Sequence, residues 1–148
     1  MSRRLMKILF IIYIAVLVVF IVIKPHLGWA YFGERIRSIC RLRKAGIWNL
    51  SLRPFIFNQQ AKVTILNIIA FVPLGVFLGI FNYSPLKALI ISLLITFCIE
   101  LFQFISCLGY GDVDDIILNM LGAAIGYLIF RLLKLFYKFI ASFFRAKL

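Results

Sequence analysis

Four runs of roughly twenty apolar residues fix what this chain can become, because that is about the length a helix needs to cross a bilayer. The runs cover 5–23, 63–81, 86–107 and 112–133. Backbone in hydrocarbon must satisfy its own amides and carbonyls, so segments of this kind fold as helices. Composition agrees: 64% of the 148 residues are hydrophobic and the mean hydropathy is +1.07, against about 45–50% apolar content in a soluble domain. The expected class is an all-α integral membrane protein, one domain over 1–148 with four transmembrane helices. An interfacial loop at 24–62 and an amphipathic tail at 131–148 complete it.

The first run follows Arg3, Arg4 and Lys7 and resembles a secretion signal. It exceeds the roughly 7–15 residues of a signal core and no A-x-A cleavage site follows, so it reads as an uncleaved helix. The next stretch is interrupted by Pro25, Gly28, Gly46 and Pro54. Its Trp29, Tyr31, Phe32, Trp48, Phe55 and Phe57 are the amphipathic aromatics favoured at a bilayer interface. The last three runs are joined by short turns, Asn82-Tyr83-Ser84-Pro85 and Gly109-Tyr110-Gly111. Arg131, Lys134, Lys138, Ser142 and Arg145 then recur at helical spacing, which fits a surface helix or a snorkelling extension of the fourth run.

Charge is one-sided, with 17 Lys+Arg against 5 Asp+Glu and a net charge of +12. In so apolar a chain that excess points to anionic lipid headgroups and topology rather than nucleic acid. Nine of the cations belong with the termini and eight lie at 24–62. The basic cluster before the first run breaks this near tie and places both termini in the cytoplasm, with the 24–62 loop on the other side of the membrane. Cys40, Cys98 and Cys107 make neither a disulfide framework nor a CxxC metal site. His26 reads as a solitary interfacial histidine.

Against this background the polar residues within the runs stand out. Ser92, Thr96, Glu100, Gln103 and Cys107 follow helical spacing and share one face of the third run. Asp112, Asp115, Asn119, Gly122 and Gly126 do the same on the fourth. Antiparallel threading puts Glu100 and Gln103 level with Asp115 and Asn119, and Asn67 enters the same layer from the second run. Gly75-x-x-x-Gly79 and Gly122-x-x-x-Gly126 are small-residue patterns that bring helices close, and Pro73 removes an amide donor beside this layer. Asn67, Gln103 and Asn119 can serve as interhelical glue or as site residues. Glu100 and Asp115 favour function, because an intramembrane carboxyl costs roughly 2.5–3.5 kcal/mol and an amide would do for glue. Asp112 and Asp114 suit a helix cap or a solvated turn.

These residues form an ordered set: Asn67-x-x-x-Phe71-x-Pro73-x-Gly75, Glu100-x-x-Gln103, and Gly109-x-x-Asp112-x-x-Asp115-x-x-x-Asn119-x-x-Gly122-x-x-x-Gly126. In this the chain resembles the VanZ-like family of small bacterial membrane proteins. Asn49-Leu50 and Pro54-Phe55 look like a loosened Asn-Leu-x-Pro-Phe stretch that precedes the set, interrupted here by Ser51, Leu52 and Arg53. Gly109 stands where many members carry an Arg, so no anion-binding role is assigned there.

The family is named for a protein associated with teicoplanin resistance. The resemblance therefore implies a cell-envelope role, in which the loop and acidic cluster handle a lipid or a lipid-tailed glycopeptide without catalysis. A second class is an enzyme on a lipid or polyprenyl phosphate, with Asp112 and Asp115 holding a divalent cation and Glu100 as acid or base. The lack of a nucleophile set or phosphate loop weighs against that class, and no cofactor is otherwise expected. A third class is a scaffold docking another membrane protein through its glycine faces. Oligomeric state is left open.

Overall fold

The computed structural model describes residues 3–23, 29–51 and 61–145. The features expected at Lys24, Pro25, His26, Gly28, Arg53, Pro54, Phe55 and Phe57 lie outside the described residues. Among the described residues the chain forms helices α1 (Arg3–Ile23), α2 (Trp29–Lys44), α3 (Ala61–Ile80), α4 (Pro85–Ile105) and α5 (Val113–Arg145). Two-residue strands β1 (Leu50–Ser51) and β2 (Gly111–Asp112) pair in parallel, Leu50 with Gly111 and Ser51 with Asp112.

Three stretches among the described residues are long and apolar enough to cross a membrane: Arg3–Ile21, Pro85–Ile105 and Val113–Phe144. Ile65–Ile80 of α3 is a shorter apolar helix. Large apolar side chains such as Ile11, Val16, Leu94, Leu128 and Leu132 lie on the outside, where water would penalise them and lipid does not.

Two differences from the sequence reading have local causes. The stretch expected as a loop is helical over Trp29–Lys44, because its basic residues interleave with Ile36, Ile39 and Leu42 and it holds no Pro and a single Gly, Gly33. The tail takes the second of its two expected forms, an extension of the fourth run: no Gly or Pro occurs between Gly126 and the helix end, so α5 continues for 33 residues. The third run ends in helix at Ile105 rather than 107, with Cys107 in the left-handed region at φ 57°.

The turn between α3 and α4 is set by its chemistry. Asn82 takes φ 57°, a conformation Asn tolerates. Ser84 then caps α4, its Oγ accepting from the Lys87 amide at 3.4 Å, with Pro85 in the first helical turn. Packing centres on α3 and α5. A Cβ on Gly75 would overlap the carbonyl of Ala123, one on Gly122 that of Ile68, and one on Gly126 that of Val72. These glycines let two backbones touch, whereas Gly79 faces the Phe130 ring. Phe71, Leu74, Leu78 and Ala123 fill the centre. Leu17 and Ile21 of α1 and Ala88 and Ile99 of α4 close it. Tyr13 donates to the Ala70 carbonyl at 2.8 Å, near Pro73.

A buried polar layer and its cover

The helices bring the expected polar residues into one layer. Asn67, Glu100, Gln103, Asp115 and Asn119 are all between 0% and 5% exposed. Asn67 on α3 donates to Oδ1 of Asp115 on α5 at 2.6 Å, which joins the two helices that the glycines hold in contact. Gln103 donates from Nε2 to the Ile21 carbonyl at 3.0 Å, supplying a partner to one of the last carbonyls of α1.

Glu100 accepts through Oε2 from the backbone amide of Asp112 at 3.2 Å. Asp112, half-buried, accepts through Oδ1 from the Asp114 amide at 2.9 Å and so caps α5. Asp114 and Asp115 follow in the first turn, where the helix dipole favours negative charge. Asp112 therefore lies at the rim of the layer and Asp115 inside it. Among the described residues no group of three or more His, Cys, Asp and Glu is placed to hold a metal ion.

One place in the layer is under-satisfied. Among the described residues, neither side-chain polar atom of Asn119 finds a hydrogen-bond partner, nor does the Thr96 hydroxyl. Both residues are fully buried, and leaving such groups unmet costs about 1–3 kcal/mol each. One turn further along the same faces, Ser92 and Ala123 line a groove between α4 and α5 of about 400 Å³. Met120, Leu89 and Tyr127 complete its apolar wall.

The layer is covered at its end by residues that the sequence pattern left out of the site. Asn49, 1% exposed, donates through Nδ2 to the Gly109 carbonyl at 2.6 Å, and its own carbonyl receives the Gly111 amide at 3.0 Å. Arg43 donates to Asn49 Oδ1 at 2.5 Å, to the Ile105 carbonyl at 3.1 Å and to the Phe104 carbonyl. A cation thus meets the negative end of α4, where the dipole favours it. Arg43 also lies 5.0 Å from the centre of the Phe104 ring and 6.0 Å from that of Trp48. Asn49 was visible only as part of a family motif, and Arg43 as one of eight loop cations. Neither carries a periodicity that points to a turn about sixty residues away in the chain.

Half-buried Cys107 lies beside this turn; burial first, and then the neighbouring Cys40 thiol of α2, push its thiol above the usual range. Both thiols are free.

Comparison with known proteins returns the family described as VanZ/LLP1, matched over residues 10–134. The chain is similar to "Protein VanZ" of Enterococcus faecium, 33% identical over 82 residues, which is 53% of this chain and 50% of that protein. The chain thus matches only about half the length of that relative. No solved structure matches.

Proposed function

The chain belongs to the VanZ/LLP1 family, and from that premise we propose that it handles a lipid-tailed molecule at the outer leaflet of a bacterial plasma membrane and lowers sensitivity to teicoplanin. In this reading α1, α3, α4 and α5 all span, both termini are cytoplasmic, and the polar layer sits in the outer half of the bilayer. The tail of the molecule lies in the groove beside Ser92 and Ala123, and its polar part meets Thr96 and Asn119.

The observation that carries the reading is the pair of buried, unmet polar groups on Thr96 and Asn119, each one helical turn from a residue, Ser92 or Ala123, that lines the apolar groove. A site for a molecule with a tail and a hydrogen-bonding group needs an apolar groove and polar groups within reach of one another. Interhelical glue alone would leave the amide of Asn119 paired.

The test is susceptibility of a sensitive Gram-positive host to teicoplanin and vancomycin, comparing wild type with Asp115→Asn and Asn119→Leu at matched membrane levels. Protection against teicoplanin but not vancomycin, lost in both variants, is the expected result. Equal protection against both drugs removes the role of the acyl tail. Absence of protection by the wild type overturns the resistance reading and leaves the family assignment in place.

A further inference from the structure

The cations of α2 divide into two sets by their partners. Arg43 is held at the end of α4 by three hydrogen bonds from its terminal nitrogens, whereas Arg37, Arg41 and Lys44 line a cup of about 340 Å³ together with Cys40. Their spacing, four and three residues, places them on one stripe of the helix. Fully buried Ile39 lies on a different stripe. Like charges four apart on a helix repel by about 0.2–0.5 kcal/mol per pair, so this stripe costs stability unless an anion sits on it.

Among the described residues no acidic side chain supplies that anion. It has five acidic residues, Glu34, Glu100, Asp112, Asp114 and Asp115. Glu100 and Asp112 accept from backbone amides and Asp115 accepts from Asn67. Asp114 belongs to the first turn of α5, and Glu34 is exposed on α2 itself. Among the described residues none of the five pairs with Arg37, Arg41 or Lys44. Among the described residues this leaves the stripe without a countercharge, which an external anion can supply.

We propose that the cup of Arg37, Arg41 and Lys44 is a phosphate-binding site. Two guanidinium groups suit a phosphate because their planar forks donate to two of its oxygens at once, and the Lys44 ammonium adds a third, compact charge. The height of the cup in the fold fits a lipid source: Arg43 fixes α2 at the end of α4, where the membrane-crossing stretch stops. A phospholipid headgroup and a free phosphate present the same chemistry to these three side chains.

The experiment uses the full chain purified in detergent and native mass spectrometry, titrating phosphatidylglycerol against phosphatidylcholine. Wild type is expected to retain phosphatidylglycerol. The combined variant Arg37→Gln, Arg41→Gln, Lys44→Gln is expected to bind it roughly ten- to hundred-fold more weakly, at about five-fold per basic side chain. Lys87→Gln, Arg131→Gln, Lys138→Gln removes the same charge elsewhere and is expected to leave binding unchanged. In the wild type, alkylation of Cys40 by N-ethylmaleimide, read by site-resolved mass spectrometry, slows several-fold when phosphatidylglycerol is added, while exposed Cys98 keeps its rate. This second readout holds even if the combined variant does not fold. Slowing by inorganic phosphate as well identifies a site for phosphate itself, and slowing by the lipid alone identifies a headgroup site. Equal weakening in both variants, or a Cys40 rate indifferent to both anions, overturns the proposal.

Discussion

Nδ2 of Asn67 lies 2.6 Å from Oδ1 of Asp115, a contact between α3 and α5 at the level where the two backbones run close together. An amide donor on one helix and a carboxylate acceptor on the other meet here, with both residues buried.

Asp115→Asn keeps an oxygen to accept from Asn67 and is expected to fold like wild type. Asp115→Leu leaves the Asn67 amide buried without its acceptor, at a cost of about 1–3 kcal/mol. Thermal unfolding in detergent should therefore separate the two, with the Leu variant melting earlier. If they melt alike, the contact contributes nothing to stability.

The glycines should not be equivalent. Gly75, Gly122 and Gly126 face backbone carbonyls that cannot rotate away, while Gly79 faces the Phe130 side chain. Replacing any of the first three with Ala is expected to lose more than the roughly 1–3 kcal/mol of ordinary overpacking and to reduce folded yield sharply. Gly79→Ala should stay within that range, because a ring can shift. Fluorescence size-exclusion profiles of the four variants check the order.

Arg43→Lys tests the cover over the polar layer. An ammonium cannot hold Asn49 and two α4 carbonyls at once as a guanidinium does. Hydrogen exchange is expected to rise around 104–111 while the α3–α5 contact stays protected. Uniform loss of protection would mean that Arg43 supports the whole fold.

Cys40 and Cys107 should form a disulfide under a mild thiol oxidant such as diamide, two thiols losing two protons and two electrons to it. Intact-mass analysis would show an intramolecular bond with Cys98 unmodified. Because burial pushes the Cys107 thiol up, its thiolate appears only at higher pH than in a free cysteine. Its alkylation in the Cys40→Ser variant should be slow near neutrality and climb through the alkaline range. A pH profile matching free cysteine would remove that cause.

The polar layer was legible because residues three and four apart share a helix face, and antiparallel runs of equal length fix relative depth. Those two facts put Asn67, Glu100, Gln103, Asp115 and Asn119 together without any knowledge of contacts. The cover was not legible. Arg43 and Asn49 act on the α4–α5 turn across about sixty residues of chain, through a two-residue strand pair too short to show alternation. Helix α2 was hidden for a related reason, since alternating cations and aliphatics in a Gly- and Pro-flanked stretch resemble a surface loop.

Lys134 reaches Asn82 in the α3–α4 turn at 2.5 Å, so α5 passes that turn with eleven residues still to run, 135–145, or about 16 Å at 1.5 Å per residue. The helix that begins with the carboxylates of the polar layer thus ends as a free spar, beyond any neighbour from α3 or α4. Leu135, Phe136, Tyr137, Phe139 and Phe144 stand out along it, each more than 60% exposed. With no break between its ends, this spar and Asp115 belong to one continuous helix.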